Sequence, residues 1–366
     1  MTESAQPLHV TVDAVWTGRR FVGPVTFRAD GERLHPVDIA PPRSLHRRLE
    51  GTVFARLADH HTHLGLTDPA ALFRGGITHA IDLGWIPAVA AAWLADDRSR
   101  PSIEIAGPLL TCPGGYPARS GWAPAGAFIE AGGEREARRA VRENITLGAS
   151  RTKVTLNTVA GETVDDRVLH SIVAESHAHG VPVTVHVEGD GQTERAIRAG
   201  ADQLAHTPFT ESVPDGLIAE AVRRGMTWVT TLDIHGWGAP NAHHRIASEN
   251  LARFVAAGGR AVYGTDLGNG DLPVGVNGRE LGDLARIGLD ADALVHAIAG
   301  GRRTRGDDAP VIGPRLAWVP GAPPTGAAAR AAWLAQARGL TVAALAASLH
   351  ATGGAPADPT PDRGRR

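Results

Sequence analysis

From residue 53 to about residue 265 the chain keeps one rhythm: a short apolar run, an Ala-rich segment of helical period, then another apolar run. Runs without polar alternation are buried on both faces, and parallel strands joined by helices are the arrangement that buries them. The runs predict strands at 53–59, 78–83, 102–107, 151–156, 182–187, 202–206, 227–232 and 260–265. Helical periods predict helices at 87–97, 134–146, 164–179, 190–199, 214–224 and 245–257. That count of strands points to an α/β fold, a TIM (β/α)8 barrel, whose active sites are built at the C-terminal ends of the strands.

The flanks have a different character. Residues 8–16 and 21–28 carry β-rich patterns around a Gly-Arg-Arg turn, and 41–48 reads as a Pro- and Arg-rich linker. After residue 290, LDADALVHAIAG predicts a helix, residues 315–319 a strand, and 326–349 a helical pattern broken near Gly339. The expected organisation is a small N-terminal β unit (1–52), a barrel (53–304), a C-terminal segment of returning strand and helices (305–350) and a tail, 351–366, disordered by composition.

Composition acts by exclusion. Lys plus Arg number 37 against 39 Asp plus Glu, so the chain lacks the basic footprint of a nucleic-acid or anionic-membrane binder. With Cys112 as the one cysteine, no intrachain disulfide can form. The start, MTESAQPLHV, has no signal-peptide pattern, and no apolar stretch reaches the ~20 residues of a membrane span. The expectation is a soluble cytoplasmic enzyme acting on a small molecule, with a homo-oligomer left open. Of the 37 basic residues only Lys153 is lysine. A buried lysine, unlike arginine, can become a neutral nucleophilic amine.

Chemistry-bearing residues close the expected strands. Asp59-His60-His61-Thr62-His63 ends the first, and alternate residues of a strand share a face, so His61 and His63 point together with Asp59 behind them. Lys153 lies on the fourth strand, His186 ends the fifth, His206 the sixth, and Asp266 follows the eighth through Gly264-Thr265. Each alone has a bland reading: a rim histidine, a snorkelling lysine, a helix cap. Together they form a ring at one mouth, whereas His170, His177, His179, His243 and His244 fall on helices and read as solvent-facing. Tyr116 and Trp122 follow the third strand and His235 and Trp237 the seventh, where substrate contacts are expected. His235 either hydrogen-bonds a substrate carbonyl or packs on Trp237. Arg119 is a candidate for a substrate carboxylate.

In order and spacing this set resembles the metal-dependent amidohydrolase superfamily. HVEGDGQTERAIRAGADQLAHT (186–207) and AGPLLTCPGGYP (106–117) are similar to the branch with imidazolonepropionase-like and prolidase-like members. The resemblance spans about residues 50–300 and implies a distorted TIM barrel with a small β-sandwich formed from both chain ends. It further implies two divalent ions, zinc with manganese or iron as alternatives. His61, His63 and Asp266 would hold one, His186 and His206 the other, and a CO2-derived carbamate on Lys153 would bridge them. Asp266 is then also the catalytic base. The implied reaction is hydrolysis of a C–N bond in an amide, lactam, imidazolone, acyl-amino acid or dipeptide. Two departures stand out: Ala55-Arg56 replaces the usual Pro-Gly, and the usual Pro-Gly-Lys and Ala-Asp-Leu C-terminal segment is absent. The rival readings are a mononuclear deaminase of the same superfamily, a Schiff-base lyase using Lys153, and a non-catalytic binding barrel.

Overall fold

The computed structural model describes residues 8–38, 45–300 and 308–352. Strands β1 (His9–Trp16), β2 (Phe21–Val22), β3 (Val25–Ala29), β4 (Leu34–Pro36) and β5 (His46–Phe54) open the chain. The parallel part holds β6 (Ala58–Thr62), β7 (His79–Asp82), β8 (Ser102–Ile105), β9 (Leu109–Thr111), β10 (Phe128–Glu130), β11 (Thr152–Asn157), β12 (Val183–Glu188), β13 (Gln203–Leu204), β14 (Thr227–Val229) and β15 (Arg260–Val262). Its helices are α1 (Pro69–Arg74), α2 (Pro87–Ala92), α3 (Glu134–Leu147), α4 (Asp166–Ala178), α5 (Gln192–Ala199), α6 (Asp215–Arg223), α7 (Ala242–Ala256), α8 (Gly278–Arg286) and α9 (Ala291–Ala299). The chain returns through β16 (Arg315–Val319), α10 (Ala327–Leu334), β17 (Arg338–Thr341) and α11 (Val342–Thr352). No described helix is long and apolar enough to cross a membrane.

Local chemistry sets these elements. Asp165, Asn241, Asn277 and Asp290 accept N–H groups at the starts of α4, α7, α8 and α9, the groups a helix leaves unpaired. The middle strands are covered on both faces: β11 is buried throughout although Lys153, Thr155 and Asn157 are polar, and helix rings close over the sheet, as where Trp228 stacks on Phe254 at 4.0 Å.

The expected single closed ring is instead two parallel sheets, β6-β7-β8 and β10-β9-β11-β12-β13-β14-β15. The break on one side is chemical: after β8 comes Gly107-Pro108, with Gly107 at φ +69° and a proline that cannot donate to a ladder. On the other side the link is made by single bonds. His60 N–H donates to Tyr263 O (3.0 Å) and His63 N–H to Leu267 O (2.8 Å). Asp59 clamps the same seam, accepting from the backbone of His61 (3.0 Å) and Thr265 (3.1 Å) and from the Thr265 hydroxyl (2.6 Å).

The chain ends do meet, but in one mixed sheet, β17-β16-β5-β1-β3-β4 with β2 beside β1, and no facing second sheet is present among the described residues. Its apolar cluster, including Val10, Val12 and Phe27, is closed by Leu345 and Leu349 of α11. Three boundaries also change. The run at 53–59 covers the end of β5 and the start of β6, two strands of different sheets. Residues 46–48 of the expected linker belong to β5, and the helical break near Gly339 is the strand β17. The expected tail lies outside the described residues from 353 on.

Asp59→Ala removes a buried acceptor shared by three donors. We expect a loss of about 2–4 kcal/mol in unfolding free energy, read from the urea midpoint. A midpoint unchanged from wild type would show that the seam does not depend on this carboxylate.

Candidate active site

Ten of the residues named from the sequence line one cavity of about 470 Å³: His61, His63, Tyr116, Trp122, Lys153, His186, His206, His235, Trp237 and Asp266. Strand ends deliver the floor. His61 is the fourth residue of β6, and His186 holds the same place in β12. His206 and Asp266 lie just past β13 and β15. Asp266 takes a left-handed backbone, φ +57°, which turns its carboxylate back over the floor. Gly264 is required two residues earlier: a Cβ there would stand 2.3 Å from Val229 Cγ1 and 3.1 Å from His61 N.

Asp266 Oδ1 lies 2.9 Å from His61 Nε2 and 3.3 Å from His63 Nε2. The ring of His206 sits 4.6 Å from that of His61, and the ring of His186 4.9 Å from that of His206. Each of the four imidazoles has one nitrogen engaged away from the others. His61 Nδ1 meets Ala205 O (2.7 Å), His63 Nδ1 meets Gly84 O (3.4 Å), and His206 Nδ1 meets Thr231 Oγ1 (3.0 Å). His186 Nε2 faces Glu188 Oε2 at 3.3 Å.

The charges are decided by burial. It pulls the His61 imidazole down to about 4, despite the neighbouring Asp266, and lowers His186 and His206 too. Burial opposes ionisation of Asp266 most strongly, yet His61, His63 and His206 together hold its carboxyl well below the usual range. His61 is thus held between Ala205 O on its Nδ1 side and the Asp266 carboxylate on its Nε2 side. Nitrogens of two imidazoles, His61 and His63, therefore converge on one oxygen of Asp266. Convergence of imidazole and carboxylate donor atoms is what a cation site requires, and orientation of ligating histidines by their other nitrogen is the usual companion of a metal site. Ligand atoms of His61, His206 and Asp266 all lie within 4.8 Å of one another.

Lys153 is 2% exposed. Burial brings its ammonium down to about 7 against the opposing pull of Asp266. No hydrogen bond or ion pair of Lys153 is found among the described residues.

The amidohydrolase family model matches residues 58–291. The chain belongs to the amidohydrolase family. Solved structures agree on the fold. A Xaa-Pro dipeptidase with bound methionine superposes with TM-score 0.69 at 17% identity, over 92% of this chain and 99% of that one. Ochratoxinase of A. niger gives TM-score 0.70 at 18% identity, over 92% and 94%. A bottromycin amidohydrolase gives TM-score 0.59 at 18% identity, over 95% and 90%. No curated protein matches the sequence. Amidohydrolases are metal-dependent enzymes acting on C–N bonds, and the His61–His206–Asp266 cluster is a candidate metal site of this one.

Sequence reasoning missed several residues of this amidohydrolase's cavity. Glu188 accepts from Asn157 Nδ2 (2.6 Å) and faces His186, and Asn269 Nδ2 donates to Asp266 Oδ2 (2.9 Å). Asp82, behind the cavity lining, accepts from Leu64 N (2.8 Å) and Gly84 N (3.1 Å), fixing the turn that carries His63. Phe209 packs on His235 at 4.3 Å. The signal was present in Glu188, which closes its strand two residues after His186. Asp59 accepts from the backbone of His61 and Thr265 and from the Thr265 hydroxyl rather than from a ring. His244, expected in solvent, pairs with Asp283 at 3.0 Å. Arg119 is exposed and does not line the cavity.

An unpaired buried cation opposes folding. In metal-free, bicarbonate-free protein at pH 6, Lys153→Met should therefore raise the melting temperature, by an amount corresponding to roughly 2 kcal/mol or more. A melting temperature at or below wild type would mean that the ammonium has a partner.

Proposed function

We propose that this amidohydrolase cleaves an amide-type C–N bond of a small molecule with two divalent ions at the cavity floor. The observation that carries the reading is the buried convergence of ligand atoms from His61, His206 and Asp266 within 4.8 Å of one another. His61, His63 and Asp266 are assigned to one ion and His186 and His206 to the other. Imidazole with carboxylate suits zinc, and manganese or iron accept the same donors.

Lys153 is assigned as a shared ligand after modification. Its neutral amine adds CO2, forming an N–C bond and releasing one proton, and the buried cation becomes an anionic oxygen donor. Its burial, and the absence of a hydrogen-bond or ion-pair partner among the described residues, support this assignment. When bound, the ions supply a water acidified toward neutral pH and polarise the scissile carbonyl.

The chain's own groups do the rest. Asp266 accepts the proton of the attacking water and returns it to the nitrogen, which leaves as a neutral amine. Asn269 holds the outer oxygen of Asp266 and keeps the carboxylate aimed. His235, neutral because burial draws it down to about 4, has an Nε2 without a hydrogen-bond partner and is assigned to the substrate carbonyl oxygen. Tyr116 and Trp122, joined by a 3.0 Å hydrogen bond, and Trp237 form the wall against which the substrate is held. The cytoplasm is the proposed location.

Protein made with zinc and bicarbonate should hold about two ions per chain by elemental analysis. Lys153→Arg should hold at most one and lose activity. Retention of both ions with full activity in that variant would remove the carbamate from the site. His206→Ala should lose orders of magnitude in kcat/KM with an unchanged circular-dichroism spectrum, and near-normal turnover would exclude His206 from the machinery.

A further inference from the structure

The chain has 37 basic residues, of which Lys153 alone is lysine, and yet no arginine lines the cavity among the described residues. Lys153, at the floor, is the one Lys or Arg side chain among its lining residues. Two carboxylates line it, Asp266 and Glu188. Around them stand rings, each set against a histidine of the floor or wall. Tyr116 stacks on His186 (5.1 Å, 21°), Trp122 tilts on His63 (4.9 Å) and Phe209 on His235 (4.3 Å).

The rim continues the pattern. Leu66 and Trp237 line the cavity and are 43% and 44% exposed. Trp237 is not a loose side chain: its indole N–H donates to Asn269 O (3.0 Å), and any Cβ at Gly270 would strike its ring at 2.4 Å. It is a fixed apolar surface at the mouth. The smaller recess that shares His235, about 90 Å³, does hold Arg279 and Arg286, but Asp233 and Asp283 neutralise them.

From this lining we infer that the substrate is an uncharged amide bearing an aryl or bulky apolar group, without a free carboxylate near the scissile bond. The inference rests on the hydrolase reading above and narrows it, setting aside the acyl-amino acids and dipeptides. A carboxylate entering here leaves water for a site with no cation to meet it above the floor, and two carboxylates repel it. At the floor itself it would occupy the place of the scissile carbonyl. An aryl group finds pre-ordered rings and loses little conformational freedom on binding.

The test uses a matched pair, phenylacetanilide and its 4-carboxy derivative, with the zinc- and bicarbonate-loaded enzyme. Binding is read by calorimetry, and turnover by release of aniline or 4-aminobenzoate. The neutral anilide should bind at least tenfold more tightly. Leu66→Arg, a change at an exposed rim position, should shift the preference toward the acid. Equal or tighter binding of the acid by the wild-type enzyme overturns the inference, as does the absence of saturable binding by either compound. Tight, selective binding of the anilide without release of aniline sustains the inference about the lining and counts against the hydrolase reading instead.

Discussion

Asp59 is a buried carboxylate with three donors, and the site exists because those donors come from the first strand and from the segment after the last. Burial pushes its carboxyl up to about 7, against the bonds from Thr265 and His61. That tension is informative. A group so costly to ionise in place is kept where no continuous ladder joins β6 to the β15 side. His61 follows it by two residues and Asp266 follows Thr265 by one, so one carboxylate sets the distance between two groups that face each other across the seam. The open joint of the ring and the floor of the cavity are the same place.

The floor and the wall divide the chemistry. Imidazoles, an aspartate and a buried amine gather where polar groups are held by strand ends. The rings of Tyr116, Trp122, Phe209 and Trp237 come from the loops beyond. Rigid strands give the reacting groups their spacing, and longer segments carry the surface that selects a substrate.

Much of this was legible because parallel strands advertise themselves. Buried apolar runs that repeatedly end in His or Asp bring those side chains to one end of a parallel sheet, and His61, Lys153, His186, His206 and Asp266 all reach one cavity. The six helices read from period lie within a few residues of α2 to α7. What escaped has physical causes. β5 and β6 are separated by only three residues, so two sheets read as one run. Gly107-Pro108 looks like an ordinary turn, and its effect on pairing depends on which neighbours each half of the strand finds. Asn157 and Asn269 act through geometry that no periodicity encodes, and His244 finds Asp283 39 residues away on another helix.

The pairing of β5 with β16 ties the beginning of the chain to its end. Trp318 donates its indole N–H to Glu50 O across 268 residues, and Thr52 donates to Gly321 O across 269. During synthesis β5 therefore waits with one edge open while the entire parallel core is made. An unpaired edge is an invitation to other chains, and the closure it awaits is among the most non-local contacts the molecule has. β16 is made after the parallel core and is what shields β5, so a chain stopped before residue 315 exposes that edge to aggregation even though every candidate active-site residue has already been translated.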